Sequence, residues 1–203
     1  MATTHLLKVE RLEGLTDGIF AFAMTIMVLN LGVPKHLALD TLWLTIKKDI
    51  LTNFFIYVGS FIILGTHWIG MNFQLGLIKK LNRVYIWGHI FYLMTICMVP
   101  FSANLLGTYP ANTFSINIYA INLLCTSVGF FFTLQCAHNC KLYKENYTQE
   151  IYHAALRRIP VGPVFYISSL IAAHWNMTAA YCLLITPTIL YMFPSSIDRF
   201  EEL

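Results

Sequence analysis

The sequence predicts an all-α integral membrane protein, with six transmembrane helices in a single domain over residues 1–203. Hydrophobic residues make up 57% of the chain and charged residues only 11%, whereas soluble domains carry about 25% charged residues. Asp, Glu, Lys and Arg are also absent from four long runs, and a helix needs about 20 mostly apolar residues to cross the hydrocarbon. These runs are 18–34, 50–78, 84–140 and 159–197.

The third and fourth runs each contain a break that divides them into two crossings. Residues 107–113 hold Gly, Pro and Asn, which favour a turn over continued helix, and the fourth run breaks at 174–176. The expected spans are about 14–33, 52–75, 84–106, 115–138, 158–174 and 177–196. Pro163 shortens the fifth span and Pro187 lies inside the sixth, so a kinked or partly re-entrant final hairpin stays open.

Helices are favoured over a membrane β-barrel, because barrel strands alternate polar and apolar residues, whereas 51–64 and 123–134 are apolar on all sides. Lys and Arg predict the orientation, with both termini cytoplasmic in the cell membrane. The first hydrophobic segment is expected to be retained. On the cytoplasmic side of this topology lie Lys8, Arg11, Lys79, Lys80, Arg83, Lys141, Lys144, Arg157, Arg158 and Arg199, and on the other side Lys35, Lys47 and Lys48. The net charge of +3 is thus a topology signal, and no nucleic-acid partner is expected.

Neither the cysteines nor the histidines predict a catalytic or metal site. The five cysteines are an odd number and fall mostly inside spans, where they act as small hydrophobes. Cys136 and Cys140 are one helical turn apart and could bind a metal together with the nearby His138. However, His138 points to a different face of the helix, and the sequence offers no second pair of ligands. The seven histidines form no HExxH motif. We therefore expect no enzyme, no metal and no cofactor, and interpret Trp43, Trp68, Trp87 and Trp175 as interface anchors.

The first span begins with an ionisable residue at the mouth of an apolar helix. Asp17 either faces protein or water, or is paired by Arg11 or by a polar group of another helix. Alternatively, Thr16 and Asp17 cap the start of the helix. At 100° per residue a stripe of mostly large apolar residues runs along one face, with Thr25 at its edge. The stripe consists of Leu15, Gly18, Phe22, Ile26 and Leu29. By itself such a stripe is a lipid or packing face.

Residues 11–18 read R-L-E-G-L-T-D-G. This segment resembles the R-x-x-x-F-S-D-G signature of the prokaryotic relatives of the lysosomal potassium channel called transmembrane protein 175. Arg11, Asp17 and Gly18 are kept, while Leu15 and Thr16 replace Phe and Ser. The similarity continues through Ala21, Thr25 and Leu29, through Trp68, and through 100–109, so it covers most of the chain.

The resemblance implies a homotetramer in which the first helix of each subunit surrounds a central pore. The family's apolar constriction then falls on Phe22, Ile26 and Leu29, and its hydroxyl layer on Thr25. The residues matching the helix-bracing network are Arg11, Thr16 and Asp17, with Asn72 as a further hydrogen-bonding candidate. Phe22 stands where relatives usually have Ile or Leu. Residues 69–72 replace a His pair that relatives often carry after the tryptophan, and His67 is a candidate substitute as the partner of Asp17.

A potassium-permeable, modestly selective cation channel in the lipid bilayer is therefore the predicted function. The carbonyl-lined T-V-G-Y-G filter is absent, so selectivity would come from a narrow apolar ring and from nearby oxygens. A secondary transporter is the alternative, although the two halves share no motif of the kind that inverted repeats would produce. A purely structural membrane protein stays open.

Overall fold

A computed structural model describes residues 8–31, 51–145 and 147–193, apart from the side chain of Asn30. Seven α-helices lie within these ranges. They are α1 (Val9–Ile26), which continues as a 3-10 turn (Met27–Asn30), α2 (Leu51–Gly76), α3 (Arg83–Thr108), α4 (Thr113–Asn139), α5 (Gln149–Arg158), α6 (Val161–Ala172) and α7 (Met177–Met192). The predictions that concern Lys35, Trp43, Lys47, Lys48, Arg199 and the far ends of the first and sixth spans lie outside the described residues.

Four of these helices are long and apolar enough to cross a membrane: α1 with its 3-10 extension, α2, α3 and α4. At 1.5 Å per residue the 26 residues of α2 span about 39 Å. The 12 residues of α6 and the 16 of α7 reach only about 18 and 24 Å, less than the roughly 30 Å hydrocarbon core. The all-helical membrane prediction is confirmed with four such spans, and the count of six stays a prediction.

Asparagine side chains begin the helices after both predicted breaks. The helix α3 ends at Thr108 and α4 starts at Thr113, where the Asn112 side chain accepts a hydrogen bond from the Phe114 amide at 2.8 Å. The Asn176 side chain accepts from the Ala179 amide at 3.1 Å at the start of α7. Each side chain satisfies an amide that the first helical turn leaves unpaired.

The start of α1 decides one of the open alternatives. Because α1 begins at Val9, with Lys8 as its N-cap residue, Thr16 and Asp17 lie about two turns inside the helix. The interpretation that these two residues cap the helix start is therefore wrong. Their side chains are available for contacts with neighbouring helices instead.

The helix α3 is central to the packing of the bundle. It contacts α1, α2 and α4, while the short hairpin of α6 and α7 packs mainly against α4. Tyr92 of α3 is fully buried, with its ring centroid 6.4 Å from that of Phe20 on α1 and 6.0 Å from that of Phe130 on α4. Only one side of α1 is held in this way.

Candidate functional site

The helix α1 has a buried face and an exposed face. The buried residues recur every three or four positions, as helical periodicity requires, and they are Leu12, Thr16, Phe20, Ala23 and Met27. On the other side Phe22 is 64% exposed and Leu29 is 74% exposed, while Ile26 is half-buried. The predicted apolar stripe thus lies largely on the side of α1 that the described part of the chain leaves uncovered.

Thr25 is exposed on this same side of α1. Its hydroxyl oxygen lies 2.9 Å from the carbonyl oxygen of Ala21 and 3.0 Å from that of Phe22. Because these carbonyls accept the single hydroxyl proton, the lone pairs of Oγ1 remain available. Thr25 can therefore present an oxygen acceptor to water or to a cation beside the apolar residues.

A buried hydrogen bond ties α1 to α3. The Thr16 hydroxyl donates to the Leu12 carbonyl at 2.7 Å and lies 2.8 Å from Nε2 of His89. Since its one proton is used on Leu12, Nε2 of His89 must be the donor to Thr16. This assigns the Nε2–H tautomer, with Nδ1 of His89 buried and unpartnered within the described residues.

The next residue along α1 ties the helix to α2. The indole Nε1 of Trp68 donates to Oδ1 of Asp17 at 2.9 Å. Consecutive helical residues point about 100° apart, which lets Thr16 reach α3 and Asp17 reach α2 at one level of the bundle. Two adjacent side chains thereby fix the rotation of α1 about its axis.

Two of the predicted bracing residues stay outside this pair of contacts. Arg11 is exposed and Asn72 is half-buried, and neither side chain forms a hydrogen bond within the described ranges. His67 does not reach Asp17 either, since its Nδ1 lies 3.4 Å from the hydroxyl of Tyr92.

Sequence reasoning missed the two partner residues. Trp68 was interpreted as an interface anchor, yet its indole N–H is committed to Asp17. His89 carried no prediction beyond the absence of a catalytic motif. A buried polar side chain in a membrane helix needs a partner, and that requirement was the available signal for His89.

An open cleft adjoins the exposed face of α1. It has a volume of about 280 Å³ and lies between Phe22, Ala23 and Ile26 of α1 and the Cys97–Asn104 turns of α3. Its lining is mostly apolar. The cleft offers room for side chains beside the α1 stripe.

Residues 11–100 match the family described as "Endosomal/lysosomal potassium channel TMEM175". This match covers less than half of the chain and shows that this part is similar to the TMEM175 family. It confirms the predicted resemblance at the level of the family, although the R-L-E-G-L-T-D-G motif itself is not tested. The matched segment contains nearly all of α1, the whole of α2 and most of α3, and hence Thr16, Asp17, Trp68 and His89.

Three bacterial potassium channels are similar to part of the chain. The similarity to a potassium channel of Chryseobacterium sp. (strain P1-3) is 29% identity over 120 residues. The potassium channels of Streptomyces collinus and Chamaesiphon minutus are 24% and 26% identical, each over 124 residues. Each match covers 59% of this chain and 60% or 61% of the relative. The chain therefore spans about three fifths of the length of these relatives.

A solved structure resembles the whole fold. It is the crystal structure of a lysosomal potassium-selective channel TMEM175 homologue from Chamaesiphon minutus, with a TM-score of 0.78. The similarity covers 91% of this chain and 96% of that one, at 19% sequence identity. The fold is therefore shared well beyond the residues that the TMEM175 family match covers.

Proposed function

We propose that the chain forms, as a homotetramer in the cell membrane, a potassium-permeable and modestly selective cation channel. In this proposal each subunit contributes six spans, its termini are cytoplasmic, and α1 lines the central pore. The match to the TMEM175 family and the similarity to bacterial potassium channels support it. The observation that carries it is the one-sided packing of α1, whose apolar stripe is exposed beside the Thr25 oxygen.

The constriction is proposed to be made by Phe22, Ile26 and Leu29. Apolar rings dewet a narrow pore, so an ion must shed water to pass, and potassium sheds water at a lower free-energy cost than sodium. The Thr25 oxygens would replace part of the lost hydration. This arrangement offers no tailored coordination cage, which is why only modest selectivity is expected.

The bracing role is proposed for Thr16 and Asp17, with Trp68 and His89 as their partners. Side chains set the diameter of such a pore, so the rotation of α1 about its axis must be fixed. A small rotation would move Phe22 away from the pore and turn a neighbouring face of α1 towards it. The two interhelical hydrogen bonds supply that restraint. Arg11 and Asn72 are proposed to act only when further residues or subunits complete the network.

The proposal is tested by potassium and sodium flux into liposomes that contain the purified protein. Phe22→Ala is compared with Phe55→Ala, a matched control because Phe55 is equally exposed, at 65%, but belongs to α2 and not to the α1 stripe. We expect Phe22→Ala to change the potassium rate or the potassium-to-sodium ratio at least several-fold. Phe55→Ala should leave both unchanged.

Two outcomes would contradict the proposal of a channel lined by α1. If folded, oligomeric wild-type protein and both variants pass no ions, the chain is a transporter or a structural protein. If Phe55→Ala has the same effect as Phe22→Ala, the effect reports general packing and α1 does not line the pore.

A further inference from the structure

The loop between α2 and α3 and the loop between α4 and α5 are joined into one unit. Ile78 and Tyr143 form an antiparallel bridge. The Lys79 amide donates to the Leu142 carbonyl at 2.8 Å, and the Lys144 amide donates to the Leu77 carbonyl at 2.8 Å. These hydrogen bonds fix the backbones of both loops relative to one another.

This joined pair of loops is strongly basic. Residues 77–83 and 140–145 contain five exposed cations and one acid, Glu145. These cations are Lys79, Lys80, Arg83, Lys141 and Lys144. Two of them have partners, since Lys79 lies 3.2 Å from Glu145 and Lys144 donates to the Gly76 carbonyl at 2.6 Å. The other three make no side-chain hydrogen bond or ion pair within the described residues.

One of these three cations occupies an unfavourable backbone conformation. Lys141 has φ 53°, in the left-handed region. The Leu142 amide donates back to the Ala137 carbonyl at 3.0 Å, which is the hydrogen bond of a helix end that normally places glycine at this position. A lysine here costs conformational energy that glycine would not, so backbone geometry does not account for the residue. What lysine adds at this position is its charge.

In the membrane placement of the proposed function, the loops lie at the level of the lipid headgroups. They follow the ends of α2 and α4 and precede α3, three of the helices long enough to cross the membrane. Juxtamembrane Lys and Arg clusters attract anionic lipids. We propose that Lys80, Arg83 and Lys141 bind the phosphate of an anionic phospholipid headgroup. This inference uses the membrane placement in the proposed function but not ion conduction.

The test measures lipid retention by the purified full chain. Native mass spectrometry counts phosphatidylglycerol bound after reconstitution in phosphatidylcholine mixtures, and thermal unfolding is measured with and without phosphatidylglycerol. Lys141→Asn removes the charge and suits the left-handed backbone. We expect it to unfold at an unchanged or higher temperature in phosphatidylcholine alone and to weaken phosphatidylglycerol retention about fivefold. Lys141→Arg should retain the lipid.

Arg157→Gln is the matched control, because it removes one exposed charge from α5, outside the joined loops. It should leave retention unchanged. Equal loss in Arg157→Gln and Lys141→Asn would mean that only net charge matters, and would overturn the site. Unchanged retention in Lys141→Asn and in Lys80→Gln would overturn it as well. Stabilisation by inorganic phosphate equal to that by phosphatidylglycerol would assign a free anion and refute the lipid proposal. Flux is not a readout, so failure of the channel proposal would be seen separately.

Discussion

Thr16 and His89 illustrate how a buried polar pair restricts a membrane helix. Both residues are fully buried, and the hydrogen bond between them crosses from α1 to α3. In an apolar interior, a hydrogen-bond donor without an acceptor costs about 1–3 kcal/mol of stability. This cost exceeds the net contribution of an ordinary hydrogen bond. The pair therefore penalises any rotation of α1 that separates the two side chains.

Replacing Thr16 by valine should destabilise the protein by about 2 kcal/mol, because the shape is kept while the N–H of His89 loses its acceptor. Thermal unfolding in detergent measures this loss. Thr16→Ser is the control and should cost less than half as much, since it keeps the hydroxyl. Combining Thr16→Val with His89→Leu should recover part of the loss, because the orphaned donor is then removed. A double variant as unstable as the sum of both single variants would contradict the pairing.

At the residue level, helical spacing in the sequence predicted the faces of α1, but not the hydrogen-bond partners of Thr16 and Asp17. Helical periodicity placed Phe22 and Leu29 on one face from spacing alone, and the structure leaves both exposed. The partners Trp68 and His89 depend on the rotation of α2 and α3 about their axes. Those rotations are set by packing of the whole bundle, which local sequence does not encode.

At the element scale, one arginine connects the end of α5 with the end of α7. The guanidinium of Arg158 donates to the Tyr191 carbonyl at 2.7 Å and lies 5.7 Å from the Tyr191 ring centroid. The Tyr191 hydroxyl in turn accepts from the Gly162 amide at 2.8 Å. Unpaired carbonyls at a helix C-terminus favour a cation, so this contact closes the last turn of α7.

We expect Arg158→Gln to loosen that last turn. Loss of a hydrogen bond from a charged donor, about 1.5 kcal/mol, corresponds to roughly tenfold faster amide exchange. Hydrogen–deuterium exchange of 189–192 measures it. Arg157→Gln, at the exposed neighbouring position, is the control and should exchange at the wild-type rate. Equal exchange in Arg158→Gln and wild type would mean that packing alone holds the turn.

The element boundaries show what an apolar run can and cannot predict. Charge-free length identified α2, α3 and α4, because the hydrocarbon excludes charge over a fixed thickness. The span expected from about residue 14 does not fix where its helix begins, and α1 starts earlier, at Val9, because the helix continues through charged residues. Charge-free length gave no sign of α5, whose ten residues include Glu150, Arg157 and Arg158. Such a helix is stabilised by its contacts, including the stacking of Tyr152 on His138 at 3.8 Å.

At the scale of the whole molecule, the described part of the chain restrains α1 on one side and leaves its other side uncovered. The buried face of α1 is fixed by hydrogen bonds to two helices, while Phe22 and Leu29 on the other side remain exposed. Restraining a helix so closely has no evident use if that face only meets fluid lipid. It is useful if copies of α1 must meet at a set distance around an axis, as the proposed tetramer requires.

The Thr25 hydroxyls become a ring only in such an assembly, so their removal tests the molecule as a whole. Thr25→Val keeps the shape and should leave unfolding of the subunit nearly unchanged, because the hydroxyl bonds only to its own helix. In the pore, however, each passing ion would lose a set of oxygens that partly replaces its hydration. We expect the potassium-to-sodium flux ratio to fall about threefold, equivalent to roughly 0.7 kcal/mol.

Liposome flux with paired ion gradients measures this ratio, and the mass of the purified assembly checks that the variant still forms the wild-type oligomer. Thr25→Ser retains the oxygen and should keep the ratio. If Thr25→Val and Thr25→Ser lower it equally, altered packing at this position is responsible, because Ser keeps the oxygen that Val lacks. If neither variant changes the ratio, the apolar residues by themselves discriminate between potassium and sodium. The reason is that oxygens in contact with a permeating ion cannot be removed without altering the solvation of that ion.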